Sequence, residues 1–253
     1  RKLIKINKLK RLLLKILNLH AIDKESFNII NPYVENEGQN HFEFNKKSYI
    51  LSNGFLDLKR KIKSLDIYLR YTPSVALWNS QSSWKRIIPN IDKKILIKCC
   101  VLSLKKSLIN FLKKNRLEIN LNLIHDESDI DFNNELKDLL KNDKFNIKFI
   151  TSKIKDNHGS YLECCDSCET AEDLIFFIED DYLFKENAIE ELLISYSRLS
   201  TLLEKDIFLC PTDYPFYYDG IYNTSLFIGK DYRWRHVKEC LLTFLFSKKL
   251  FNE

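Results

Sequence analysis

Several residue types and sequence features are scarce or absent in this chain. Methionine is missing, even at position 1, and glycine and proline occur only five times each in 253 residues. This scarcity excludes collagen-like and low-complexity chains. No apolar run reaches the roughly 20 residues that a membrane-spanning helix requires, and no signal-peptide pattern is present. The missing methionine indicates a trimmed chain or dropped residues, in which case some spacings are short by one.

The composition is that of a folded protein with an uneven charge distribution. Hydrophobic residues make up 45% and charged residues 30%, enough to bury a core. The net charge is +5, yet residues 1–19 carry seven Lys or Arg and no acid, so the remainder carries −2. A near-neutral body is not typical of a dedicated nucleic-acid binder, and we expect no nucleic-acid partner.

Residues 1–19 have the pattern of a basic amphipathic helix, with apolar residues at helical spacing between lysines. Such a helix either contacts an anionic membrane surface or docks on its own domain.

The odd count of seven cysteines indicates free thiols in a reducing compartment. We therefore expect a cytoplasmic protein, peripheral at the inner face of a membrane if the helix is an anchor.

Strand and helix patterns alternate from residue 65 onward. This order predicts βαβ units and a mostly parallel sheet flanked by helices, an α/β fold. We expect residues 1–60 to form the basic helix and an extension, and residues 61–253 to form the α/β domain. The expected strands are 65–71, 118–124, 145–150, 174–178 and 207–209; the expected helices are 95–112, 135–140, 160–173 and 188–203.

Three acids follow a buried strand. The apolar run 174–178 leads directly into Glu179, Asp180 and Asp181. Adjacent carboxylates repel one another unless a cation or a proton offsets their charge. Carboxylates at the carboxyl end of a parallel strand suit Mg²⁺ or Mn²⁺. The alternative is a solvated acidic turn before the next helix.

The run FFIEDDYLFKENAIEELL resembles the metal-binding region of GT-A glycosyltransferases of the family 2 type, with an EDD form of their DxD motif. The resemblance implies a Rossmann-like GT-A fold and a nucleotide-sugar donor. It also implies that Asp181 binds Mn²⁺ or Mg²⁺, while Glu179 and Asp180 face the donor.

Two upstream segments resemble the same family in the correct order. Residues 121–129 resemble its second strand, which makes Asp126 a contact to the nucleoside. Residues 156–171 resemble its N-x-G loop through Asn157 and Gly159, although the usual Ala-Arg-Asn triplet is absent. The resemblance also places three residues at the end of the first strand beside the base: Arg70, Tyr71 and Thr72.

Downstream, Asp213-Tyr214-Pro215 and Arg233-Trp234-Arg235 resemble two segments of a subset of the family. Arginine can bind a diphosphate through two parallel hydrogen bonds. The cations expected to neutralise the leaving diphosphate are Lys230, Arg233 and Arg235; the alternative is a solvated basic turn. The candidates for the general base that deprotonates the acceptor are Asp213, Asp219 and Glu239, or an acid beyond the end of the chain.

The resemblance implies a metal-dependent, inverting hexosyl- or N-acetylhexosaminyltransferase. A UDP-sugar is favoured over a GDP-sugar, and the acceptor is a hydroxyl of a glycan or of a lipid-linked acceptor. A nucleotidyltransferase is the second candidate, although the Gly-rich basic phosphate loop typical of that class is absent. A non-catalytic membrane-surface adaptor is the third.

Cys164, Cys165 and Cys168 indicate core packing on one helical face, with a zinc site as the alternative.

Overall fold

The computed structural model describes the backbone of residues 20–23, 29–30, 41–44 and 47–52, and it describes residues 58–74, 92–126, 129–154, 156–213, 225–237, 239–240 and 243–253 with their side chains. By its contacts the chain groups into two compact units. The central-sheet unit comprises residues 62–193, 206–212 and 239–253, and the small-sheet unit comprises 1–61, 194–205 and 213–238. The basic helix expected at 1–19 lies outside the described residues.

The described residues contain eleven strands. They are β1 (His20–Asp23), β2 (Ile29–Ile30), β3 (His41–Phe44), β4 (Lys47–Ser52), β5 (Ser64–Tyr71), β6 (Glu118–His125), β7 (Asn146–Thr151), β8 (Leu174–Glu179), β9 (Leu226–Ile228), β10 (Arg233–Arg235) and β11 (Phe244–Ser247).

Aspartate caps fix the start of the three helices that connect the central strands. The Asp92 side chain accepts from the Lys94 amide, Asp129 from the amide of Phe132, and Asp156 from that of Gly159. Each cap satisfies a backbone donor that the first helical turn leaves unpaired. The helices are α1 (Lys93–Leu112), α2 (Ile130–Leu140), α3 (Asn157–Ser167), α4 (Ala188–Leu203) and α5 (Lys248–Asn252), and a 3₁₀ turn, Cys168–Thr170, follows α3.

The central-sheet unit contains five strands in the order β11-β8-β5-β6-β7. β5 pairs in parallel with β6 and with β8, β6 pairs in parallel with β7, and β11 runs antiparallel to β8. The winding therefore reverses between β5 and β8, because the chain moves from β5 to β6 and β7 before it returns to the other side. Ligands of open α/β sheets bind at the carboxyl ends of strands at such a reversal.

Aromatic packing holds β8 in place on one face of this sheet. Phe177 is 2% exposed. Its ring centroid lies 6.0 Å from that of Tyr68, 5.8 Å from Tyr161 and 5.3 Å from Phe246. Such pairs add about 0.5–1.5 kcal/mol each beyond the burial of their area. Cys164 of α3 and Cys168 of the 3₁₀ turn pack in the same cluster.

The small-sheet unit contains two three-stranded sheets. β1, β4 and β3 form one antiparallel sheet, while β9 pairs antiparallel with β10 and parallel with β2 in the other. The last part of α4 is bound to this second sheet and its turn. Trp234 Nε1 donates to Ser195 Oγ at 3.1 Å, and an Arg198 guanidinium nitrogen donates to the Gly229 carbonyl at 2.9 Å.

The α/β prediction with a mostly parallel, helix-flanked, Rossmann-like sheet is confirmed. The division at residue 60 stays a prediction. Among the described residues, no helix is long and apolar enough to cross a membrane.

Two element predictions are wrong. Residues 207–209 form a single bridge, Leu209 to Leu245, instead of a strand, because Pro211 follows and has no amide hydrogen to donate. The helix expected at 160–173 ends at Ser167. The Tyr68 hydroxyl donates to the Ser167 carbonyl at 2.9 Å, and Lys248 Nζ donates to that of Cys168 at 2.8 Å. These donors satisfy carbonyls that further helical turns would use.

The buried Asp66 on β5 should make the free energy of unfolding depend on pH. Burial raises its pKa above the ordinary 3.8, although a hydrogen bond from Asn120 opposes the rise. Because the folded state then binds the proton more tightly, this residue's contribution to stability is lost as the pH rises from 3.8 through the raised pKa. We expect Asp66→Asn to lack that loss. Urea unfolding across this range should show its stability relative to wild type increasing with pH.

Asp143→Asn provides a matched control, since the Asp143 side chain is 86% exposed, and it should follow wild type. A stability difference between Asp66→Asn and wild type that does not change with pH would contradict the assignment.

Candidate functional site

The acids of β8 lie beside the end of β5, at the reversal of the sheet. The parallel register pairs Arg70 with Glu179. Directly beyond the two strand ends, the Thr72 amide donates to Asp180 Oδ2 at 3.2 Å. The topology therefore brings Arg70, Thr72, Glu179 and Asp180, all predicted site residues, to one edge.

Arg70 is a buried cation with three kinds of partner at this edge. It is 5% exposed, and one of its guanidinium nitrogens lies 3.3 Å from Glu179 Oε1. The other donates to Asn157 Oδ1 at 3.0 Å, to the Asn157 carbonyl at 3.1 Å and to Ser160 Oγ at 3.3 Å. Arg70 thus ties β5 to β8 and to the start of α3.

Lys93, the first residue of α1, is the second cation. Its Nζ lies 2.5 Å from Asp180 Oδ1, and both side chains are largely buried. Burial raises the pKa of Glu179 and of Asp180, and the charges of Arg70 and Lys93 respectively oppose that rise. The charges of Glu179 and Asp180 are therefore offset by cations of the chain itself.

Asp181 is half-buried and adds to the rise in the pKa of both preceding acids. Across the described part of the chain, no group of three His, Cys, Asp or Glu side chains is arranged to hold a metal ion. However, Mg²⁺ is commonly bound by one or two carboxylates together with substrate phosphates. The donor set here fits a divalent ion that Asp181 would share with a bound diphosphate.

Tyr71 is the last residue of β5, and Asp126 directly follows the neighbouring strand β6. Tyr71 is 2% exposed, and its hydroxyl donates to Asn133 Oδ1 at 2.6 Å. Burial raises the Tyr71 pKa, and the charge of Asp126 raises it further. The Tyr71 side chain is therefore part of the core, whereas Asp126 is half-buried.

Asn157 and Gly159 open α3 in different environments. Asn157 is exposed and bonds Arg70. Gly159 is buried, and a Cβ there would lie 2.6 Å from the Ile154 carbonyl oxygen. Glycine at this position thus lets the start of α3 pack closely on the chain that leaves β7.

The remaining predicted residues belong to both units. Glu239 is exposed in the central-sheet unit. The small-sheet unit contains exposed Asp213, the β10 residues Arg233 and Arg235, and Lys230, whose Nζ lies 2.9 Å from Asp231. Their roles toward a donor stay predictions. Asp219 lies outside the described residues.

Sequence reasoning missed Lys93, Ser160 and Thr243. Thr243 Oγ1 accepts from the Glu179 amide at 3.2 Å. No signal in the sequence indicates Lys93, which is 87 positions from Asp180. A lysine at a helix start is ordinarily solvated.

Core packing of Cys164 and Cys168 is confirmed, and burial raises the Cys164 pKa to about 12.

Comparison with known proteins adds little. No family model matches the chain, and no curated protein matches it. Among solved structures, one similar chain is assigned as a nucleotide-diphospho-sugar transferase from Desulfovibrio desulfuricans G20, with 14% identity and a TM-score of 0.32. The match covers 48% of this chain and 50% of the Desulfovibrio chain, so this chain spans about half the length of that protein.

Arg70→Met should destabilise the protein, because it leaves Glu179 without its cation. Removing one partner of a buried pair costs about 3–5 kcal/mol. Since the Glu179 side chain is 32% exposed, we expect about 3 kcal/mol, measured by urea unfolding. Adding Glu179→Gln should restore part of the loss. Arg116→Met, at an exposed arginine, is the control. If Arg70→Met and Arg116→Met lower the free energy of unfolding equally, the pairing of Arg70 with Glu179 is contradicted.

Gly159→Ala should lower the free energy of unfolding by about 1–3 kcal/mol, the typical cost of overpacking. The added methyl group meets the Ile154 backbone. Thermal unfolding measures the effect, with His158→Ala as the control at the exposed neighbouring position. If Gly159→Ala is as stable as His158→Ala, the close packing does not constrain this residue.

Proposed function

We propose that the chain is a nucleotide-sugar transferase, which moves a sugar from a nucleoside diphosphate donor to a hydroxyl acceptor. The observation that carries the proposal is the meeting of β5 and β8 at the reversal of the sheet, where Arg70 and Thr72 contact Glu179 and Asp180. That is where nucleotide ligands of such sheets bind. The EDD segment itself resembles the family 2 GT-A motif.

For the donor we propose a UDP-sugar rather than a GDP-sugar. Asp126 would accept hydrogen bonds from the base or the ribose, since a carboxylate accepts from N–H and hydroxyl groups. Lys230, Arg233 and Arg235 would neutralise the diphosphate. The hexosyl or N-acetylhexosaminyl type of the sugar follows from the family resemblance.

Asp181 would hold Mn²⁺ or Mg²⁺ together with the donor's phosphate oxygens. When bound, the ion would offset the negative charge that develops on the departing diphosphate. In the chain itself, Arg70 and Lys93 hold Glu179 and Asp180 at the strand end, which keeps the acidic segment in one arrangement.

An acid within hydrogen-bond reach of the acceptor hydroxyl would take its proton during an inverting transfer. The candidates are Asp213, Asp219 and Glu239. The acceptor would be a glycan or a lipid-linked acceptor. The basic segment 1–19 would bring the protein to an anionic membrane on the cytoplasmic side.

Calorimetric titration with UDP and GDP, each with and without Mn²⁺, tests the proposal. We expect UDP to bind with a dissociation constant on the order of micromolar only when Mn²⁺ is present, and GDP to bind more weakly. Failure of both nucleotides to bind would contradict a donor site. Release of pyrophosphate from a nucleoside triphosphate would instead favour the nucleotidyltransferase.

Asp181→Ala tests the metal ligand in the same titration. It should abolish the Mn²⁺-dependent part of UDP binding, because it removes the carboxylate that would share the ion. Glu186→Ala, at an exposed acid a few residues later, should leave binding unchanged. If Asp181→Ala binds UDP and Mn²⁺ like wild type, Asp181 is not the ligand.

A further inference from the structure

Helix α1 contacts the chain that carries the three acids along one of its faces. Cys100, Ser103 and Ser107 follow one another at intervals of three and four residues, which places their side chains on the same face of a helix. Each of them forms a hydrogen bond with the backbone between Glu179 and Ile189. The whole contact lies within the central-sheet unit.

Cys100 lies beneath the turn that the acids form. It is fully buried, and its Sγ donates to the Glu179 carbonyl at 3.7 Å. The backbone of Tyr182 is hydrogen-bonded to the same thiol. Because Glu179 and Tyr182 flank the turn residues Asp180 and Asp181, one side chain of α1 holds both ends of this turn.

Ser103 anchors the chain just after the turn. Its hydroxyl donates to the Cys100 carbonyl at 2.9 Å, so the oxygen is oriented to accept, and it accepts from the Phe184 amide at 3.0 Å. The ring of Phe184 packs edge-on against Phe176 of β8, with 6.3 Å between the centroids, while Leu183 is 78% exposed. Ser103 therefore fixes the backbone where the chain turns back toward the core.

Ser107 makes the corresponding contact at the start of α4. Its Oγ accepts from the Ile189 amide at 3.0 Å, and both residues are buried. The first amides of a helix have no partner within it, so α1 supplies an acceptor here. The Lys106–Glu186 ion pair also joins α1 to this connection, but it is exposed, and such pairs contribute little to stability.

The chain is thus held on both sides of Asp181. Before it, the Asp180 carboxylate accepts two hydrogen bonds, and after it the Phe184 amide is bound by α1. We propose that Ser103 is a positioning residue that holds Asp181 in place for the donor diphosphate before any ligand binds. The role toward the donor rests on the proposed transferase function, whereas the anchor itself rests only on the contacts.

Hydrogen exchange at the Phe184 amide tests the anchor without a nucleotide. In Ser103→Ala this amide loses its acceptor, so it should exchange about fivefold faster or more, as expected for one hydrogen bond of ordinary strength. Ser103→Thr keeps a hydroxyl that can bond a carbonyl of the preceding helical turn, and it should restore the protection. Lys106→Met removes only the exposed ion pair and should match wild type.

The dissociation constant for UDP with Mn²⁺ tests the role toward Asp181. Ser103→Ala should raise it by about five- to tenfold, because a site that only partly populates its binding arrangement binds more weakly. Ser107→Ala is the matched control. It should lower the free energy of unfolding more than Ser103→Ala does, since it leaves the buried Ile189 amide without its acceptor, but it should bind UDP like wild type.

Faster exchange at Phe184 together with weaker UDP binding in Ser103→Ala, but not in Ser107→Ala, supports the proposal. Unchanged exchange overturns the anchor. Affinity losses that follow the stability losses of the two variants overturn the positioning role, because a purely structural residue acts through stability. Ser103→Cys, whose thiol is a weak acceptor, should change exchange and binding in the same direction and serves if Ser103→Ala fails to fold.

Failure of the proposed function is distinguishable from failure of the anchor. If wild-type protein binds neither UDP nor GDP, the transferase function and the role toward the donor fail together. The exchange experiment then still decides whether Ser103 anchors the chain beside Asp181.

Discussion

The structure depends on how negative charge is accommodated at the end of a buried strand. β8 delivers Glu179 and Asp180 to a place where burial raises the pKa of both. Two cations from other elements oppose that effect: Arg70 from β5 and Lys93 from α1. A buried charge is tolerable only when it is paired. The contacts among β5, α1 and β8 are therefore a requirement of the acidic segment as well as of the fold.

The order of strands explains why these groups meet. β5 lies between β6 and β8, so the order in which the chain adds strands to the sheet reverses beside the acids. The parallel register then places Arg70 next to Glu179, and the amide just beyond β5 reaches Asp180. Aromatic packing around Phe177 holds β8 from below this edge. A rigid core and a polar, charged rim follow from the same strand.

This arrangement changes what the three acids can contribute. A cluster of free carboxylates would attract a divalent ion without help, but Glu179 and Asp180 already have cationic partners. Asp181, the third acid of the segment, is half-buried and raises the pKa of both preceding acids further. The pairing of Lys93 with Asp180 also links the acidic segment to the start of α1.

The sequence by itself determined the local elements and the location of the acids. A continuous apolar run identified β8, because a strand buried on both faces is continuously apolar, and strand-like patterns at 65–71 and 118–124 identified β5 and β6. Only the tertiary structure decided the partners. Lys93 is far from Asp180 in the chain, and α3 ends where Tyr68 and Lys248 bind its carbonyls. Periodicity records which face of an element is buried, but ion pairs and carbonyl contacts between distant segments depend on strand order and register, which periodicity does not encode.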